Sequence, residues 1–200
     1  MIKLSRGEKP EELTNDVCEE LKKLYAEDKD RDVWNSSKIK EPLKKAMLEM
    51  SHGKCSYCEC KLGIESKDVT IDHFLPKSEN PDEVVEWENL FPACLRCNRK
   101  KNKREERIVN PCVDEPKEYL GVTSVNRYRL KGIDTQGIGK NTIEVIGLND
   151  IERVMVPRMT EWEALKVHLE EIEEDLKEEG YKNKYRNRLQ KIMENCLFDK

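Results

Sequence analysis

Two Cys-x-x-Cys pairs are the feature that most constrains the fold of this 200-residue chain. Cys55 and Cys58 form the first pair, and Cys94 and Cys97 form the second. A two-residue gap lets both thiolates of a pair bind one ion from a tight turn, and a set of four thiolates suits tetrahedral Zn²⁺. Because such a set leaves no open coordination position, the sequence predicts a structural zinc and not a catalytic one.

Other interpretations of the cysteines remain open. Cys60 competes with Cys58 as a ligand, and the two-residue gap from Cys55 favours Cys58. A redox-active pair is a weaker alternative, because no thioredoxin-like βαβ pattern surrounds either motif. The chain has 8 cysteines but no N-terminal apolar run. We therefore interpret the pairs as metal ligands in a reducing cytoplasm and not as disulfides.

The composition limits the size of the hydrophobic core. Hydrophobic residues make up 36% of the chain and charged residues 39%. A small core stabilised by bound metal and surrounded by amphipathic helices suits this balance, because structural zinc contributes folding free energy. No stretch of about 18 apolar residues suggests a membrane span. The sequence predicts a mainly helical α+β protein with a small zinc-stapled core.

The chain divides into three predicted regions. Residues 1–50 form an N-terminal helical region, residues 51–110 form the metal module, and residues 111–200 form a mostly helical C-terminal region. The apolar periodicity and the turn residues predict these elements. We expect helices from Pro10 and from about Glu41, a strand at 69–73, a helix at 95–106, and short strands at 128–133 and 142–147.

A long helix is predicted after Leu148 and Asn149. One stripe of this helix carries Trp162, Leu165 and Leu169, with Ile172 beyond them. We interpret the stripe as packing against the N-terminal helices, and a partner-binding surface is the alternative.

A second set of chemical residues lies inside the loop that zinc would close. Asp72 and His73 end the predicted strand, and Asn98 directly follows Cys97. The carboxylate of Asp72 and the amide oxygen of Asn98 are ligands that Mg²⁺ or Mn²⁺ prefers. His73 is the natural general base near neutral pH. Because adjacent strand residues point to opposite faces, we expect the strand to end or bulge here.

A basic strip follows the second cysteine pair on a chain whose net charge is −4. The net charge argues against non-specific coating of nucleic acid, but a local strip can still bind phosphates. A solvated helix face is the alternative. The candidates for phosphate binding are Lys77, Arg96, Arg99, Lys100, Lys101, Lys103 and Arg104.

Taken in order, these motifs resemble the four-cysteine branch of the HNH endonucleases, which have a ββα-metal fold. The segments 71–78, 87–90 and 93–102 narrow the likeness to the PtuB type found in Septu and in some retron anti-phage loci. The resemblance implies a DNA-cleaving effector that a partner controls. The implied partners are a PtuA-type ATPase and, in retron loci, a reverse transcriptase with its DNA–RNA product.

The resemblance also implies a role for each catalytic candidate. His73 would activate water, Asn89 would orient the His73 ring by a hydrogen bond, and Asn98 would share the metal with Asp72. The family often has a histidine at the position of Asn98, and a neutral amide binds metal more weakly than an imidazole does.

Two other functions remain open from the sequence. The cysteines and the basic strip also suit a non-catalytic zinc module that binds nucleic acid or protein. A stand-alone, restriction-like HNH nuclease would share the site but need no partner.

Overall fold

A computed structural model describes residues 1–34, 38–64, 68–102, 106–123 and 128–178. Its regular elements are α1 (Asn15–Glu27), α2 (Lys40–Met50), β1 (Thr70–His73), β2 (Leu90–Ala93), α3 (Leu95–Lys101), α4 (Pro116–Tyr119), β3 (Leu120–Val122), β4 (Leu130–Gly132), α5 (Ile138–Ile146) and α6 (Val156–Glu178). Helices predominate over two small two-stranded sheets, which confirms the mainly helical α+β class.

The metal module is built on β1, β2 and α3. The two strands pair antiparallel, with Asp72 opposite Phe91 and His73 opposite Leu90. The predicted strand at 69–73 is confirmed, and it ends at His73 as expected. Helix α3 begins after Cys94, whose Sγ accepts a hydrogen bond from the backbone N–H of Cys97. The order of these elements is ββα.

Helix α3 is shorter than predicted, because it ends at Lys101 and not near residue 106. The next residue, Asn102, has a φ of 42°, in the left-handed region where a right-handed helix cannot continue.

Two hydrophobic clusters pack against the ββα unit. The first joins α1 and α2 to β2 and includes Leu43, Met47 and Phe91. The second joins the cysteine turns to the C-terminal region and includes Tyr57, Cys97 and Ile146. The module is thus fixed between the helices that precede it and those that follow it.

The N-terminal segment clamps the turn before β2. The Arg6 guanidinium donates to the carbonyl oxygens of Trp87, Glu88 and Leu90, at 2.7–3.1 Å. The same group lies over the rings of Trp87 and Phe91. Arg6 therefore holds the short 3₁₀ turn Trp87–Asn89, which carries one of the catalytic candidates.

Two predicted elements are wrong. The first helix starts at Asn15 and not at Pro10, because the Thr14 side chain accepts from the N–H of Val17 and caps the helix there. Residues 142–146 are helical and belong to α5, with residue 147 as its cap, although their β-branched content suggested a strand. The Asp134 carboxylate accepts from the N–H groups of Ile138 and Gly139 and so stabilises the start of α5.

The apolar stripe of α6 does not pack as predicted. Trp162, Leu165 and Leu169 are only half-buried, and Ile172 is exposed. None of them belongs to either hydrophobic cluster in the described part of the chain. In the part of the chain that the structure describes, no helix is both long enough and apolar enough to cross a membrane.

Candidate functional site

The four predicted cysteine ligands lie together. The Sγ atoms of Cys55, Cys58, Cys94 and Cys97 are all within 4.8 Å of one another. The Sγ atoms of Cys58 and Cys94 are 3.8 Å apart, which matches the edge of a tetrahedron with Zn–S bonds of roughly 2.3 Å. An all-sulfur set with this spacing suits structural zinc, and Cys60 is not part of it.

The electrostatics of the cysteine cluster divide its members: hydrogen bonding raises the pKa of Cys55, to about 12, and that of Cys97, while it lowers the pKa of the other two thiols. Hydrogen bonding, first of all with Cys55, lowers the pKa of Cys58, and it lowers that of Cys94 to about 3. The Arg96 guanidinium donates to Sγ of Cys97 at 3.2 Å and to the carbonyl of Gly147 at 3.4 Å. Arg96 was predicted to bind phosphates. In the structure Arg96 lies against the cysteine cluster, where its positive charge can balance the negative charge of thiolates.

Asp72 lies in the interior beneath α3. Its side chain is 3% exposed. One carboxylate oxygen accepts a short hydrogen bond from the Tyr57 hydroxyl, and the other lies 3.3 Å from the Lys101 ammonium. Burial raises the pKa of Asp72 to about 6, although Lys101 and the Tyr57 hydrogen bond act in the opposite direction. The carboxylate is therefore held by two different elements.

Lys101 is predicted to bind phosphates on the basic strip, but its side chain points into the interior. Its side chain is 4% exposed, and Nζ donates to the carbonyl of His73 at 2.6 Å in addition to facing Asp72. The ammonium points inward because Asp72 is a buried carboxylate that needs a cation. Lys101 thus joins α3 to the last two residues of β1.

The surroundings of His73 favour the neutral imidazole. Its Nε2 is 2.8 Å from the carbonyl oxygen of Val84. Burial lowers the pKa of His73 to about 4, while the bond to Val84 acts in the opposite direction. A carbonyl oxygen can only accept, so Nε2 carries the proton and Nδ1 keeps its lone pair. A histidine in this tautomer can accept a proton through Nδ1.

Asn89 fixes the loop that holds His73. Its side chain accepts from the N–H of Leu75 and donates to the carbonyls of Leu75 and Glu83, at 2.7–3.2 Å. Glu83 is the neighbour of Val84, whose carbonyl binds the ring. The predicted direct hydrogen bond from Asn89 to the ring is replaced by this backbone clamp, so the connection between Asn89 and His73 runs through residues 83–84.

Asn98 faces the same strand from α3. Its Nδ2 donates to Oγ1 of Thr70 at 2.9 Å. Asn98 and Lys101 are one helical turn apart, while Thr70 and Asp72 are two residues apart on one face of β1. Because Nδ2 is used by Thr70, the side-chain oxygen of Asn98 is the atom that suits a cation. The donor set of carboxylate and amide oxygens fits Mg²⁺ or Mn²⁺.

The remaining basic candidates differ in exposure. Arg99 and Lys100 are exposed on α3. Lys77 is half-buried, with Nζ over the ring of Tyr25. Lys103 and Arg104 lie outside the described residues.

A groove opens beside the site. Its volume is about 330 Å³, and its walls include Phe74, Leu75, Glu79, Lys101 and Glu106. Lys101 is the residue shared by the groove and the Asp72 contact. The groove therefore reaches the lysine that faces the buried carboxylate.

The sequence motifs do not indicate two groups of the site, the Tyr57 hydroxyl that binds Asp72 and the Val84 carbonyl that binds His73. Tyr57 is fully buried between the two cysteines of the first pair. A lone tyrosine inside a cysteine turn was a possible signal, because a buried hydroxyl needs a polar partner. No sequence signal identifies a backbone acceptor such as that of Val84.

Comparison with known proteins finds a family that is similar to the metal module. Residues 55–104 match the HNH endonuclease family. This range contains both cysteine pairs and all the catalytic candidates.

Two relatives share more of the chain. The Septu protein PtuB of Bacillus thuringiensis is 41% identical over 162 residues, which cover 80% of this chain and 59% of that protein. The Septu protein PtuB of Bacillus mycoides (strain KBAB4) is 27% identical over 142 residues, covering 54% of this chain and 47% of that protein. The chain thus spans about half to three fifths of the length of these relatives.

Proposed function

We propose that the protein hydrolyses phosphodiester bonds of DNA with the help of a divalent cation, on the basis of the match between residues 55–104 and the HNH endonuclease family. The observation that carries the proposal is the anchoring of the His73 ring by the carbonyl of Val84. The ring is half-buried and anchored through Nε2 to the carbonyl of Val84, and His73 directly follows Asp72 on β1, the strand that Asn98 contacts from α3. This arrangement supports a base that acts on water beside a metal site.

In the proposed mechanism, Nδ1 of His73 takes a proton from the attacking water. The carbonyl of Val84 holds Nε2–H, so the ring keeps its orientation while the charge develops. A Mg²⁺ or Mn²⁺ ion bound by Asp72 and Asn98 would stabilise the charge on the phosphate and on the leaving oxygen. Asn89 keeps the 74–84 loop in place during the reaction.

The cysteine cluster has a different task in this proposal. Zinc bound by the four thiolates would join the turn at residues 55–58 to the start of α3. That link keeps α3, with Asn98 and Lys101, against β1. The zinc site would therefore stabilise the catalytic geometry without taking part in chemistry.

The exposed Arg99 and Lys100 would bind backbone phosphates. Such contacts carry no sequence information, so we expect weak sequence specificity unless a partner supplies it.

We further propose a role in anti-phage defence, based on the likeness to the Septu PtuB proteins. A PtuA-type ATPase is the proposed regulator, and in a retron locus a reverse transcriptase with its DNA–RNA product would join it. The half-buried stripe of α6 supports docking onto another protein. An inactive isolated protein that gains DNA cleavage with the ATPase would support this role, whereas free cleavage without it would indicate a stand-alone nuclease.

The test of catalysis is His73→Ala compared with His168→Ala. His168 is an exposed histidine on α6, so its loss should leave cleavage unchanged. His73→Ala should lower the single-turnover rate on plasmid DNA by at least about a hundredfold, with the zinc content retained. A His73→Ala protein that cuts as fast as the parent would contradict the mechanism and favour a non-catalytic zinc module.

A further inference from the structure

The buried ion pair between Asp72 and Lys101 is not explained by the mechanism above. Both side chains are almost fully buried, at 3% and 4% exposure, and Nζ lies 3.3 Å from the carboxylate. An ionised carboxylate in such a position needs a nearby cation. In this structure the lysine provides it.

The position of the ammonium conflicts with a bound metal ion. A divalent cation on Asp72 would share the same carboxylate with a positive charge that is already in contact with it. Two like charges at such short range repel strongly where water is excluded. Asp72 therefore has room for one cation at a time.

The groove gives Lys101 a second position. Lys101 lines the groove of about 330 Å³, whose walls also carry the carboxylates of Glu79 and Glu106. Both glutamates are exposed, and the lysine side chain is long and flexible. A change of the Lys101 rotamer, with loss of its hydrogen bond to the His73 carbonyl, would move the ammonium from Asp72 towards these carboxylates and the solvent.

We infer that Lys101 is an internal counter-ion of Asp72, and that a divalent cation binds Asp72 only when the Lys101 ammonium withdraws into the groove. This inference rests on the proposed role of Asp72 as a metal ligand. Lys101 then sets the metal affinity of the site and keeps it low while the ammonium stays inside.

The first test is a Mn²⁺ titration of the zinc-loaded protein, followed by electron paramagnetic resonance at pH 8.5. Lys101→Met keeps the length of the side chain and removes its charge. We expect it to bind Mn²⁺ roughly tenfold tighter or more, as expected when a like charge beside a carboxylate is removed. Lys140→Met, at a lysine with a 73% exposed side chain, should bind as the parent does. Unchanged or weaker binding by Lys101→Met would overturn the inference.

The Asp72→Asn variant distinguishes a failure of the proposed metal site from a failure of the counter-ion inference. If the parent binds Mn²⁺ and Asp72→Asn binds it equally well, Asp72 is not a ligand, and the proposed metal site fails together with the counter-ion. If Asp72→Asn loses binding but Lys101→Met equals the parent, only the counter-ion inference fails.

A second test uses the unmodified protein, so it does not depend on the folding of a variant. Lysine acetylation with N-hydroxysuccinimidyl acetate is followed residue by residue by mass spectrometry. Lys101 should be protected without Mg²⁺ and should react several-fold faster at saturating Mg²⁺, while Lys140 reacts equally in both samples. Continued protection of Lys101 at saturating metal would overturn the proposed withdrawal.

Discussion

The Tyr57 hydroxyl donates a hydrogen bond to the Asp72 carboxylate, which connects the first cysteine turn directly to the strand that carries the catalytic candidates. Tyr57 is fully buried. The carboxylate therefore depends on two separate elements, with Tyr57 on one oxygen and Lys101 on the other.

Tyr57→Phe should weaken the proposed metal site while the zinc remains bound. Removing the hydroxyl leaves one oxygen of Asp72 without its donor, and hydrogen bonds to charged groups contribute about 1.5–3 kcal/mol. We expect the half-saturating Mg²⁺ concentration for cleavage to rise and the free energy of unfolding to fall by an amount in that range. Tyr25→Phe, at a buried tyrosine on α1, is the control in urea unfolding and should not affect the Mg²⁺ dependence.

Cys58→Ser should release zinc, and Cys60→Ser should not. The Sγ of Cys58 belongs to the four-sulfur cluster, whereas that of Cys60 does not. A zinc measurement on purified proteins should give a single zinc for Cys60→Ser and a clear loss for Cys58→Ser. The opposite result would move the ligand assignment to Cys60.

The pH dependence of cleavage should follow Asp72 and not His73. The pKa of Asp72 is raised to about 6, so protonation removes its charge as the pH falls through 6. The pKa of His73 is lowered to about 4, so the base stays unprotonated over the same range. Cleavage should decline below pH 6, and added Mg²⁺ should shift this decline to lower pH by competing with the proton.

Initial rates measured from pH 4.5 to 8 at two Mg²⁺ concentrations test this assignment. A decline that stays at the same pH at both concentrations would show that another group controls the acid side.

Arg99→Gln and Lys100→Gln should weaken binding of duplex DNA in a salt-dependent manner. Each lost phosphate contact should reduce the slope of log K against log salt by about 0.9. Fluorescence anisotropy on a catalytically inactive background provides the slopes. Lys23→Gln, at an exposed lysine on α1, removes the same charge elsewhere. An equal effect of Lys23→Gln would indicate general electrostatics and not a binding strip.

Gly139→Ala should destabilise the C-terminal region. A Cβ at this position would lie 2.0 Å from the carbonyl oxygen of Tyr119, which is rigid backbone. Overpacking of this kind costs about 1–3 kcal/mol, which urea unfolding can measure. Gly7→Ala is the matched control, because its Cβ would meet only Met50 at 3.8 Å. Equal stability of both variants would contradict the close packing of α5 against Tyr119.

The sequence was sufficient for the metal module because its chemistry is encoded in short spacings. The gap between Cys55 and Cys58 defines a chelating turn, and the β-branched run before Asp72 defines a strand that ends at His73. Each of these local patterns depends on the spacing of a few residues, although the four cysteines meet only when the chain folds.

The positions of Arg96, Lys101 and α5 could not be predicted in the same way. The sequence of a basic run does not indicate which of its side chains face solvent and which face a carboxylate. The partners of Lys101 lie 28 residues or more away along the chain. Residues 142–146 have strand-forming character, but the cap that Asp134 provides makes them helical. Contacts with residues distant in sequence determine where Arg96 and Lys101 lie, and capping by Asp134 determines that α5 is a helix.

The alternation of Asp72 and His73 along β1 has a consequence for variation in this protein. Asp72 meets Tyr57 and Lys101 on one side of the strand, and His73 meets the carbonyl of Val84 on the other. Adding or deleting one residue within β1 would exchange the two sides and offer the imidazole to the lysine. Natural variants of this stretch should therefore contain substitutions but conserve its length.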